Sequence, residues 1–133
     1  MRNRPCILTL LLLSIFSLFR LSAETAIEVD TVIGFSGLIK PGRWNPVQIS
    51  VYNPGKDVEG EIAVEVMQGT AYRTEKTHVY RRKVVLPSRS RKRYSFAVPI
   101  SSPGVPISVQ ITAGTEVLFT AEYSLLGKII DSP

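Results

Sequence analysis

Between Ile27 and Tyr123, large apolar side chains fall on alternate residues, and glycine or proline breaks the pattern roughly every ten residues. Side chains alternate across a strand, so this period places one apolar row on one face of a pleated chain. Residues 37–55 show the pattern in full: a Pro41-Gly42 turn, the single Trp44, an alternating strand and a second turn at Asn53-Pro54-Gly55. Proline followed by glycine is the chemistry of a type II turn.

Seven strands follow from the pattern. The first sets Ile27, Val29, Ile33 and Phe35 inward and Glu28 and Asp30 outward. The second starts after Pro46 with Val47, Ile49 and Val51 inward. Pro46 has no amide to donate, which restricts it to a strand's start or to an edge. The third, Val58 to Met67, buries Ile62, Val64 and Val66 and presents Glu59, Glu61 and Glu65 to solvent. The fourth, Thr77 to Leu86, is poorly phased, because Val79, Val84 and Val85 do not share a parity. The fifth buries Tyr94, Phe96, Val98 and Ile100, and the sixth Val105, Ile107, Val109 and Ile111. Ala113-Gly114-Thr115 suits a tight hairpin. The seventh, Glu116 to Tyr123, points Val117, Phe119, Ala121 and Tyr123 inward. Seven short strands with a turn at each gap predict an all-β, immunoglobulin-like seven-stranded antiparallel β-sandwich over residues 24–124. A closed barrel is the alternative.

Residues 1–23 have the layout of a signal peptide. Arg2 and Arg4 precede an apolar run from Ile7 to Phe19, and Ser22-Ala23 offers small residues for cleavage. The run is shorter than the ~20 residues of a spanning helix, and Arg20 closes it. The expected product is exported, periplasmic or envelope-associated, and cleaved near Ala23. An uncleaved anchor is the alternative, since Leu21 departs from the usual small residue. The whole chain carries +5; without Arg2, Arg4 and Arg20 it has thirteen basic and eleven acidic residues, a net +2. The only cysteine, Cys6, lies in the leader, so neither a disulfide framework nor a thiolate metal site is expected. Residues 125–133 form a tail with four large aliphatics, Leu125, Leu126, Ile129 and Ile130. Such a tail either folds back as an edge strand or begins a further domain.

The motif Lys40-Pro41-Gly42-Arg43-Trp44-x-Pro46-Val47, with Asn53-Pro54-Gly55, Val84-Val85-Leu86-Pro87 and Arg91-Lys92-Arg93-Tyr94 after it, resembles the N-terminal β-sandwich domain of large exported or membrane-anchored bacterial proteins of uncharacterised function. Many of these carry a glutamine-amidotransferase-like domain next. Leu125-Leu126-Gly127-Lys128-Ile129-Ile130-Asp131 is similar to the opening of that following domain. The resemblance implies an accessory domain of a larger envelope protein and supplies no catalytic residue.

The one concentrated constellation is basic. Arg73, Lys76, Arg81, Arg82, Lys83, Arg89, Arg91, Lys92 and Arg93 face the single acid Glu75 within residues 73–93. A hairpin around Pro87-Ser88 would bring Arg81 and Lys83 onto one face with Arg91 and Arg93, an attractive surface for phosphates or sulfates. Tyr72, Tyr80 and Tyr94 stand near enough in sequence to stack on sugars or bases. The competing reading is a solvated edge guarded by charge, with the third-strand glutamates paired across the sheet. His78 is the sole histidine, no G-x-S-x-G elbow occurs, and one His without a mature Cys does not build a conventional zinc site. The glutamate and aspartate pairs lack a calcium loop. These features predict a non-enzymatic exported interaction module with no cofactor and no nucleic-acid partner, contacting an envelope protein. The alternatives are an anion-binding module for a lipid headgroup or envelope glycan through Arg81, Lys83, Arg91 and Arg93, and an accessory domain whose active partner domain lies elsewhere.

Overall fold

The computed structural model describes residues 26–70 and 73–130. The expected signal peptide, Tyr72 and Asp131 lie outside the described residues. The elements are β1 (Glu28–Ile33), β2 (Arg43–Asn53), β3 (Val58–Thr70), β4 (Arg73–Leu86), β5 (Ser90–Ile100), β6 (Ile107–Ala113) and β7 (Glu116–Tyr123), with no helix among the described residues. They form two antiparallel sheets, β1-β2-β5 and β4-β3-β6-β7. The chain is thus an immunoglobulin-like sandwich in which the fourth strand stays beside the third on the larger sheet.

The core forms where the alternation is cleanest. Val47, Ile49 and Val51 on β2 face Ile62, Val64 and Val66 on β3 and Ile107, Val109 and Ile111 on β6, all essentially without exposure. These strands lie inside their sheets, so one complete face of each must be apolar. The poorly phased fourth strand is an edge: Val84 and Leu86 are buried, whereas Val79 and Val85 point to solvent. An edge strand has fewer neighbours to enforce a buried row, which is why its pattern is weak.

Three strand expectations need correction. Phe35 is not an inward residue of β1. Ser36 and Gly37 both have positive φ and fold a two-residue turn in which Phe35 N–H donates to Leu38 O at 2.7 Å, lifting Phe35 into solvent beside the Lys40 ammonium. Val117 is 51% exposed, because a register shift between Ile111 and Thr112 pairs Phe119 with Ile111 but Val117 with Thr112. Leu118 is the extra residue of this bulge and packs against the core instead. Finally, β2 begins at Arg43, so Pro46 lies within it and Trp44 on its outer face. Pro46 is tolerated because β1 ends at the level of Val47. Pro46 O accepts from Gly34 N–H, so its missing amide points to the side that β1 has just left.

The turns have polar pins. Gly42 has φ +70° and Arg43 N–H donates to Lys40 O at 3.2 Å, as the Pro-Gly pair predicts. Asn45 is fully buried beneath this turn, accepting from Lys40 N–H and donating to Lys40 O and Arg43 O. Asn53, also buried, accepts from Gly55 N–H and donates to Lys56 O and Leu86 O. Its last bond ties β2 in one sheet to β4 in the other. The tail folds back: Leu125 is buried, and Ile39 N–H donates to Lys128 O while Ile130 N–H donates to Ile39 O, a short parallel bridge.

Candidate functional site at the basic edge

β4 and β5 are consecutive in sequence and basic in composition, yet they do not pair. β4 binds β3 and β5 binds β2, so the Pro87-Ser88 turn carries the chain from one sheet to the other. The expected basic hairpin is therefore replaced by an arch. The cause is the apolar phase of each strand. Val84 and Leu86 on β4 and Tyr94, Phe96, Val98 and Ile100 on β5 must all face the same core, which sets the two strands across it from each other.

The consequence for the four singled-out cations is direct. On β4 the even-numbered residues point inward, leaving Arg81 and Lys83 on the outer face of the larger sheet. On β5 the inward residues are again even-numbered, leaving Arg91 and Arg93 on the outer face of the smaller sheet. The structure brings Arg81 together with Lys83, and Arg91 with Arg93, but places the two pairs on opposite faces of the sandwich. Arg81 Nη1 is 2.9 Å from Glu61 Oε1, so one third-strand glutamate pairs across the sheet as a charge-guarded edge would have it. The Arg91 guanidinium sits 5.4 Å from the Tyr52 ring.

What joins the pairs is the seam between the sheets on the β4/β5 side. Arg82 and Val85 from β4 meet Phe96 and Tyr94 from β5 there, and Tyr80 packs against the same core. The Arg82 guanidinium lies 5.4 Å from the Phe96 ring, and Tyr94 Oη reaches Val85 O at 3.5 Å. Partial burial raises the Tyr94 phenol above its ordinary pKa, and the Arg82 charge works against that rise. The sequence shows Arg82 as one cation of the basic run but not its place at the seam, since it occupies an inward position on a strand whose phase is obscured. Its signal is the cation at the same parity as Val84 and Leu86. Taken together, Arg81 and Lys83, then Arg82 and Lys92, then Arg91 and Arg93 wrap one edge of the sandwich as a basic rim over an aromatic seam.

No three metal-ligating side chains gather among the described residues. His78 is exposed on β4. Two cavities, of about 320 and 290 Å³, lie on the opposite side, where β1 faces β7. One is lined by Ile27, Val58 and Leu118, the other by Thr31, Ile33 and Tyr123.

The profile of a family described as Domain of unknown function (DUF8726) matches residues 26–126, a span that takes in all seven strands and Leu125. No curated protein matches the chain.

Proposed function

The chain belongs to the DUF8726 family, and on that footing we propose that it is an exported, non-enzymatic β-sandwich module that works by binding protein through its basic β4/β5 edge. The observation that supports this reading most is the distribution of charge over the edge. Arg82 and the cation pairs on either side of it surround an aromatic seam, which suits an acidic, protein-sized surface laid along the edge better than one small anion. Arg is also the cation most enriched where interfaces concentrate their binding energy. The leader-like residues 1–23 support export to the periplasm or envelope, and the resemblance to accessory domains supports a supporting role beside a larger envelope protein.

The anion-binding alternative loses its geometric advantage, since Arg81 and Lys83 do not share a face with Arg91 and Arg93. Chromatography on a sulfated polysaccharide and capture from envelope extract separate the two readings. Protein capture that is lost in R82E and in R91E/R93E, with weak polysaccharide retention, is the expected result. Strong retention that collapses between low and moderate salt, without protein capture, would replace this reading with the anion one.

A further inference from the structure

The edge opposite the basic rim is acidic. Glu28 and Asp30 project from the outer face of β1, Glu122 from the outer face of β7, and Glu116 stands at the mouth of the larger cavity. All four are exposed, and none forms an ion pair among the described residues. Lys56 and Lys128 sit only at the two ends of this cleft. Each sheet therefore has one acidic and one basic edge strand: β1 against β5 in the smaller sheet, β7 against β4 in the larger. The net charge of +5 hides a molecule divided across its width.

The β1 edge is also open. Gly34 N–H donates to Pro46 O, which fixes the even-numbered residues of β1 as those bonded to β2. The backbone groups of Val29, Thr31 and Ile33 therefore point away from the sheet, and they have no backbone partner among the described residues. Glu28–Ile33 contains no proline, lysine or bulge of the kind that normally blunts an edge. By contrast, β4 and β5 carry cations, β5 carries Pro99, and β7 carries a bulge. On β1 itself, Thr31 Oγ1 is buried without a hydrogen-bond partner among the described residues.

We propose that a second copy of this chain covers the β1/β7 edge, docking with its basic β4/β5 edge. This rests on the reading of that edge as a protein-binding surface and names its partner. The registers set Glu28 level with Arg91 and Asp30 level with Arg93, so Glu28 and Asp30 of one copy meet Arg91 and Arg93 of the next. β1 and β5 are each antiparallel to β2, so in a copy related by translation β1 runs parallel to the β5 it meets. The β1/β7 edge of each copy then lies along the β4/β5 edge of the next, held by the opposed charges. Because the two surfaces differ, the contact is heterologous and head-to-tail, and it extends in steps without closing.

Sedimentation velocity of the full chain tests this. At about 20 mM salt the average mass rises with protein concentration, and at about 300 mM, where screening acts within a few ångströms, it falls to the monomer. E28K/D30K and R91E/R93E each weaken association at least about tenfold, and an equimolar mixture of the two restores it, because each variant supplies the charge that the other lost. A wild-type chain that stays monomeric at low salt, or association unmoved by either reversal, overturns the proposal. If the monomeric chain still captures an envelope protein through Arg82, Arg91 and Arg93, self-association fails while the protein-binding edge stands. If capture fails as well, both fall.

Discussion

Replacing Asn53 by Ala should cost far more than its place in a turn suggests. The side chain is 1% exposed and makes three hydrogen bonds of 3.0 Å or less: to Lys56 O at 2.6 Å, to Leu86 O at 2.8 Å and from Gly55 N–H at 3.0 Å. At about 1 kcal/mol each, with the buried Leu86 carbonyl left unpaired, the loss is about 3 kcal/mol. For a domain of this size that lowers Tm by more than about 10 °C. Asn53→Asp sharpens the test. It keeps the acceptor for Gly55 but loses both donors, and it sets a carboxylate against two carbonyl oxygens. Burial raises the carboxyl's folded pKa above its unfolded value, so the protonated form favours the native state. Stability relative to Asn53→Ala is present in acid and is lost as pH rises through that raised pKa. Chemical denaturation of both variants across acid and neutral pH gives the comparison. A loss under about 0.5 kcal/mol for Asn53→Ala would refute the idea that this residue pins the two sheets together.

Other outcomes follow from the same contacts. Val117→Lys should change stability by no more than about 0.5 kcal/mol, as for an ordinary surface site, while Ile62→Ala costs about 2–5 kcal/mol; equal effects in urea melts would contradict the bulge in β7. Gly60→Ala drives a Cβ into the Thr112 carbonyl oxygen and should cost at least about 1–3 kcal/mol, and a loss under about 0.5 kcal/mol in the same urea melts would contradict that close approach. In an ultraviolet pH titration the Tyr94 phenol ionises above the ordinary tyrosine range. Arg82→Ala moves it higher still, since it removes the cation that lowers it; an unchanged profile would separate Arg82 from the seam.

How much of this was legible in the sequence depends on where each residue lies in its sheet. β2, β3 and β6 are flanked on both sides and face one core, so their alternation marked Val47, Ile62 and Ile107 as buried with no further information. The turns at Pro41-Gly42 and Gly114 were equally plain, because backbone geometry restricts which residues they accept. The misplacements of Phe35 and Val117 have a common origin. A two-residue turn and a one-residue bulge each reset the parity of a strand, and neither leaves a periodic trace. The basic segment shows the deeper limit. Arg81, Lys83, Arg91 and Arg93 were visible as a charge run, but whether their strands pair or cross between sheets depends on the phase of β4. That phase was the weakest in the chain, with Val79 and Val85 competing against Val84 and Leu86. Asn45 and Asn53 read as turn residues; their burial, and the reach of Asn53 to Leu86, became apparent only with both sheets in place.

The division of the basic segment over two faces carries the whole functional account, and a distance decides it. Spin labels at Arg81→Cys and Arg93→Cys, in a Cys6→Ser background, report that distance by dipolar spectroscopy. Sheets stack roughly 10 Å apart, and outward-pointing labels add to the separation, so the sandwich predicts about 20 Å or more. Two strands paired as a basic hairpin would hold the labels within about 10 Å, and a distance in that range would contradict the account.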